Sequence, residues 1–119
     1  PFTTYITAAR QLNELGIAYL SIAEADWDNA PDLPQEFYPA LRETFRNVLM
    51  YAGKYTAEKA SRMLDAGLGD LFGFGRTFIA NPDLPARIAH GWPLNPVDRN
   101  TLFGGGVAGY TDYPVYRAK

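Results

Sequence analysis

Two short segments of this chain carry residue types suited to binding an anion, Ala52-Gly53-Lys54-Tyr55 and Phe74-Gly75-Arg76, each directly after an apolar run that reads as a strand. Glycine lets the backbone approach a ligand closely, exposed N–H groups in such turns form an anion nest, and a helix N-terminus adds favourable partial charge. Arg76 supplies a guanidinium that can hold a phosphate in bidentate fashion. Two consecutive strand-to-helix loops of this make-up match the phosphate site that (β/α)8 barrels build after strands 7 and 8. The competing reading is that Gly53 and Gly75 only make turns while Arg76 pairs with a surface acid. The residues by themselves leave both readings open.

Other candidates point elsewhere. Glu24-Ala25-Asp26-Trp27-Asp28 offers three acids, but an EF-hand loop starting at Asp26 needs glycine where Pro31 stands, so these read as solvated loop acids. Trp27, in a polar loop, must cover something: core, partner or ligand. There is no cysteine and one histidine, His90, which excludes a disulfide framework, a thiolate nucleophile and a histidine metal cluster within the chain. His90 beside Gly91 reads as a charge complementing a helix C-terminus. Gly67, Gly69, Gly73 and Gly75 do not fit G-x-G-x-x-G, and no P-loop pattern occurs. The Gly104-Gly105-Gly106 run reads as either a mobile lid or a packed turn.

These segments need elements to place them. Ile6, Ala9, Leu12 and Leu15 recur at helical spacing, with Thr3 or Thr4 as N-cap and Gly16 as a left-handed stop, so a helix is expected over 4–15. Ile17 to Ala23 is almost wholly apolar, as a strand covered on both faces would be. After a polar loop, Pro34 suits a first helical turn, and Phe37, Leu41 and Phe45 define a buried stripe. Val48 to Ala52 reads as a second strand, and Thr56 caps a helix carrying Ala60, Met63 and Leu64, closed by Gly67. Leu71 to Phe74 is a third strand, and Asn81-Pro82 opens a last helix through Leu84 and Ile88, stopped by Gly91. The order αβαβαβα, with strands starting at residues 17, 48 and 71, predicts an α/β fold with a parallel sheet and helical crossovers. Residues 92–119, rich in Pro and Gly, read as an irregular tail that is ordered only where it packs.

Composition sets the outer bounds. The chain has 119 residues, 47% hydrophobic and 20% charged, with a formal net charge of −2. That balance is neither disordered nor the basic profile of a nucleic-acid binder, and no run approaches the ~18 apolar residues of a membrane span. The expectation is a cytoplasmic single domain over 1–119, with βα units in 1–91, no nucleic-acid partner, no membrane and no metal. The start at Pro1-Phe2, without methionine, reads as a cut just before a helix.

Longer stretches carry a resemblance. Residues Phe74 to Leu84, Pro93-Leu94-Asn95-Pro96, Thr101 to Gly106 and Gly109 to Pro114 resemble the C-terminal end of the old yellow enzyme family, most nearly its N-ethylmaleimide reductase branch. Upstream, Gly16 to Leu20 with Glu24, Asp26 and Trp27, and Ala52 to Ala60, fit the same family in the same order. The likeness is collinear over nearly the whole chain.

The resemblance implies the portion around strands 6 to 8 of an FMN-binding (β/α)8 TIM barrel, an open parallel sheet if it stands alone. It implies an ene-reductase that reduces activated alkenes with NADPH or NADH. Gly53, Lys54 and Tyr55 match the family's strand 7 loop, whose N–H groups hold the FMN phosphate; Gly75 and Arg76 match the strand 8 phosphate grip. Trp27 falls at a position that walls the substrate pocket, and Phe103 where the family usually has a substrate-contacting tyrosine. The family's substrate-binding histidine and asparagine, its tyrosine proton donor and the arginine beside the flavin ring lie on earlier strands, so no catalytic residue is assigned here. A whole barrel takes ~250 residues, which implies inactivity without the missing strands. The alternative is a non-catalytic truncated domain. With two sheet edges open, self-association to a dimer or higher oligomer is expected.

Overall fold

The computed structural model describes residues 2–27, 29–104 and 106–119. Two compact units divide it, one up to Gly73 and one from Phe74 onward.

In the first unit, helix α1 (Phe2–Glu14) leads into strand β1 (Tyr19–Ala23), followed by α2 (Phe37–Thr44), β2 (Val48–Ala52), α3 (Ala57–Asp65) and β3 (Leu71–Gly73). The strands form one parallel sheet in the order β1-β2-β3, in a register that pairs Tyr19 with Val48, Ala23 with Ala52 and Ala52 with Gly73. Parallel neighbours require a crossover between them, and α2 and α3 supply it. Gly16 stops α1 at φ +70°, with its N–H donating to the Asn13 carbonyl at 3.0 Å. Thr56 caps α3 by accepting from the Lys59 N–H at 3.2 Å, the bond that makes threonine useful there.

The core collects the stripe expected on α2. Phe37 and Leu41 are buried, as are Phe45 and, on β2, Leu49 and Tyr51; Tyr38 of α2 packs on Tyr51 with ring centroids 5.7 Å apart, and α1 closes on α2 through the edge-to-face pair Phe2–Phe37 at 5.6 Å. The amino end of the sheet is tied by charge. Asp70 Oδ2 accepts from the Leu49 N–H and from Arg42, both at 2.8 Å, and Arg42 also donates to the Phe45 carbonyl at 2.7 Å.

Several expectations need correction. The helix after Pro34 starts at Phe37, because the Pro34 carbonyl accepts from the Phe37 N–H at 2.9 Å in a turn that precedes the helix. Leu64, expected on the buried face of α3, is exposed. β1 is not covered on both faces: its residues alternate between exposed and half-buried, with Tyr19 57% exposed, and it stands at the sheet edge with β2 as its one neighbour. Beside it, α1, α2 and β1 leave an apolar groove of about 420 Å³ lined by Tyr5, Leu12, Leu20, Ile22 and Phe37 among others.

The second unit holds α4 (Arg76–Ala80), α5 (Leu84–His90) and a 3₁₀ turn, Arg99–Thr101. Helix α4 lies between the expected third strand and last helix, where the sequence pattern places no element. Asn81, read as the opening cap of the last helix, instead closes α4 by donating to the Thr77 carbonyl at 2.9 Å, and α5 begins three residues later with Pro85 in its first turn. Gly91 ends α5 in the left-handed region as expected, and His90 stands in its last turn, stacked on Trp92 at 4.6 Å. The tail carries no strand among the described residues, yet it is firmly packed. Arg87, 3% exposed, donates to Asp83 and to the carbonyls of Pro93 and Pro114 at 2.6–2.9 Å. Asn95 N–H donates to Asn81 Oδ1 at 2.7 Å, and its amide donates to the Ala80 and Pro114 carbonyls at 2.9 Å. Tyr116 N–H donates to Asp83 Oδ2 at 2.8 Å, and its ring stacks on Trp92 at 4.5 Å.

Candidate functional site

The loop from Gly53 to Thr56 joins β2 to α3 at the carboxyl end of the sheet, where parallel α/β folds place their ligands. Gly53 has φ +137°, and a Cβ added to it would lie 2.9 Å from the Glu24 carbonyl oxygen and 3.0 Å from the Glu24 Cβ. Only glycine fits so near another backbone. Tyr55 donates its N–H to the Gly53 carbonyl at 2.9 Å, turning the chain sharply, and buries its side chain. The N–H groups of Gly53 and Lys54 take no backbone acceptor among the described residues, and Lys54 is exposed. Two N–H donors and an exposed lysine thus stand in the loop just ahead of α3. Of the three residues expected here, Gly53 and Lys54 offer donors, whereas Tyr55 is a buttress whose N–H is already engaged.

In the second unit, Gly75 precedes α4, and its carbonyl accepts from the Phe78 and Ile79 N–H groups at 3.0 Å. A Cβ at Gly75 would meet nothing within 4 Å, so open space adjoins this backbone. The N–H groups of Gly75 and Thr77 take no backbone acceptor among the described residues. Arg76 is the first residue of α4.

The two residues expected to face a substrate are both exposed, Trp27 at 63% in the first unit and Phe103 at 84% in the second. Trp27 closes a turn by accepting from the Ala30 N–H at 3.0 Å. Asp28 and Gly105 lie outside the described residues.

Glu24 departs from its expected role as a solvated acid. It follows β1 directly, is half-buried, and accepts a hydrogen bond from the Tyr38 hydroxyl through Oε1. Around it, Tyr38, Tyr51 and Tyr55 form a buried aromatic group, with Tyr51 5.7 Å from Tyr38 and 6.1 Å from Tyr55 between ring centroids. Desolvation, with the Glu24 carboxylate adding to it, pushes the Tyr51 hydroxyl up to about 12 and those of Tyr38 and Tyr55 well above the phenol range. All three therefore stay protonated near neutrality. This cluster is invisible to periodicity, because a tyrosine in a core stripe reads like a phenylalanine until something shows where its hydroxyl ends.

The fit to a flavin mononucleotide can be judged from these groups. In the first unit, the backbone N–H groups of Gly53 and Lys54, which have no backbone acceptor, are chemically suited to a phosphate; in the second unit, open space adjoins Gly75. A sequence profile of the NADH:flavin oxidoreductase / NADH oxidase family matches residues 3–95. The chain belongs to this family. Among relatives, a 12-oxophytodienoate reductase-like protein of Solanum lycopersicum is 37% identical over 108 residues, which are 89% of this chain and 29% of that protein. Among solved structures, morphinone reductase in complex with tetrahydroNAD matches 98% of this chain and 31% of its own with 40% identity and a TM-score of 0.88. The old yellow enzyme from Trypanosoma cruzi matches 98% of this chain and 30% of its own with 31% identity and a TM-score of 0.87. The chain therefore spans about 30% of the length of the relatives it matches. Its open three-stranded parallel sheet with helices is a part of the family's TIM barrel, and the family's members are flavin-dependent oxidoreductases that use NADH. No helix among the described residues is long and apolar enough to cross a membrane.

Proposed function

We propose that this chain supplies the FMN phosphate-binding part of an old yellow enzyme-type ene-reductase, working with the remaining strands of a single barrel domain. The observation that carries the reading is the loop after β2, where Gly53 and Lys54 hold N–H groups with no backbone acceptor at the carboxyl end of a family-typical parallel sheet. In this reading Gly53 and Lys54 donate to phosphate oxygens, the Lys54 ammonium adds charge, and Gly75 and Arg76 donate from the segment after β3. Tyr55 holds the first loop in shape from beneath, and Trp27 and Phe103 are the residues available to face a substrate. FMN, when bound, supplies hydride transfer from NADPH or NADH to an activated alkene. The chain's own residues bind and orient, and proton donation belongs to residues outside this chain. The location of the assembled enzyme is the cytoplasm.

The test is flavin fluorescence on adding FMN to the purified chain. Quenching in the wild type, weakened about tenfold or more in Arg76→Ala, is expected from loss of a charge-assisted bidentate contact. Equal behaviour of FMN and riboflavin, which lacks the phosphate, would remove the reading. A second reading is favoured by the exposed edge of β1 and its apolar groove: a non-catalytic, self-associating domain with weak or no affinity for phosphate ligands. It predicts no quenching with either flavin.

A further inference from the structure

Three buried polar atoms of the first unit lack a hydrogen-bond partner: Glu24 Oε2 and the hydroxyls of Tyr51 and Tyr55. Buried groups of this kind are costly unless satisfied, and all three belong to the cluster around Glu24. The cluster meets the β2–α3 loop through Glu24. Through its backbone, Glu24 N–H donates to the Ala52 carbonyl at 2.8 Å, and its own carbonyl oxygen occupies the space where any Cβ on Gly53 would fall. Through its side chain, Glu24 Oε1 accepts from the Tyr38 hydroxyl, which holds the residue whose backbone abuts Gly53. The Lys59 ammonium stands 4.3 Å from the Tyr55 ring centroid. The first residue of the loop is thus fixed against one residue of the neighbouring strand end, and that residue is itself held by Tyr38.

We propose that Glu24 is the positioning residue of the β2–α3 loop: its backbone seats Gly53, and its carboxylate, held by the Tyr38 hydroxyl, keeps that backbone in place and so preserves the turn that leaves the Gly53 and Lys54 N–H groups available to an oxyanion. The proposal rests on the reading of that loop as a phosphate site. A loop ordered before binding spends less of its binding energy on ordering, so the gain belongs to affinity as well as to fold.

Two readouts test it separately. The first is amide hydrogen exchange at Tyr55, whose N–H bond to Gly53 exists only when the turn is made; the second is FMN affinity of the same chain. Glu24→Ala is expected to speed Tyr55 exchange about tenfold and weaken FMN binding to a similar degree, with α1 amides unchanged. Glu24→Gln, which keeps an acceptor for Tyr38, is expected to stay within about threefold of wild type on both. Tyr55 exchange that is unchanged in Glu24→Ala, or that rises in step with the α1 amides, overturns the proposal. Where Glu24→Ala does not fold, Tyr38→Phe removes only the donor, and unchanged Tyr55 exchange in that variant overturns it equally. Absence of FMN binding in the wild type would fell the phosphate reading alone, since the Tyr55 amide still reports the positioning.

Discussion

At Gly53 and Gly75 the same amino acid answers different demands. Gly53 combines φ +137° with a backbone oxygen 2.9 Å from where a Cβ would stand, whereas Gly75 has φ −91° and open space around it. Gly53→Ala is therefore expected to destabilise the first unit by about 2 kcal/mol, from strain and a clash with main chain that cannot step aside. Gly75→Ala should change stability by less than about 0.5 kcal/mol, within the range of neutral surface substitutions, and show its effect in FMN affinity instead. Thermal melting of the two variants decides this, and equal losses would contradict the distinction. The sequence presents both positions alike, as a glycine after an apolar run. What separates them is Glu24, 29 residues earlier in the chain, and local pattern carries no trace of that contact.

Elements were legible where periodicity and caps coincide. Thr56 and Gly67 bracket α3, and Gly16 and Gly91 end α1 and α5 as left-handed stops. Helix α4 was not legible, since five residues are too few to show a period, and Asn81 carries the same signature whether it opens one helix or closes another. Asp70 shows how one side chain joins elements: the Leu49 N–H bond, with the Arg42 guanidinium assisting against the effect of burial, holds its carboxyl below the usual value of 3.8. Its folded pKa is depressed, so the stabilisation is fully present above pH 3.8 and is lost as pH falls through the lower folded value. Asp70→Asn keeps an acceptor for Leu49 but cannot titrate, and its unfolding free energy should fall less steeply with acid in that window. Parallel slopes for wild type and variant, measured by denaturant unfolding across the acid range, would show that Asp70 carries none of the linkage.

For the molecule as a whole, the parallel sheet followed from the alternation of apolar runs and helical stripes, and the family from long collinear matches. The fate of β1 did not follow, because a strand destined for two neighbours and one left at an edge have the same residues. With Tyr19 exposed at that edge and an apolar groove beside it, the isolated chain is expected to associate. Light scattering at tens of micromolar should report a dimer or larger species, and a monodisperse monomer would count against it.

The pinned tail sets an order of events. Arg87 finds its last acceptor at Pro114, 27 residues further along, and Asp83 waits for Tyr116, 33 residues on. During synthesis a guanidinium built for burial must remain hydrated until residue 114 has cleared the ribosome, because burying it without that carbonyl would strand a charge. The sheet can form as soon as β3 emerges, but the second unit can close only when its final stretch arrives.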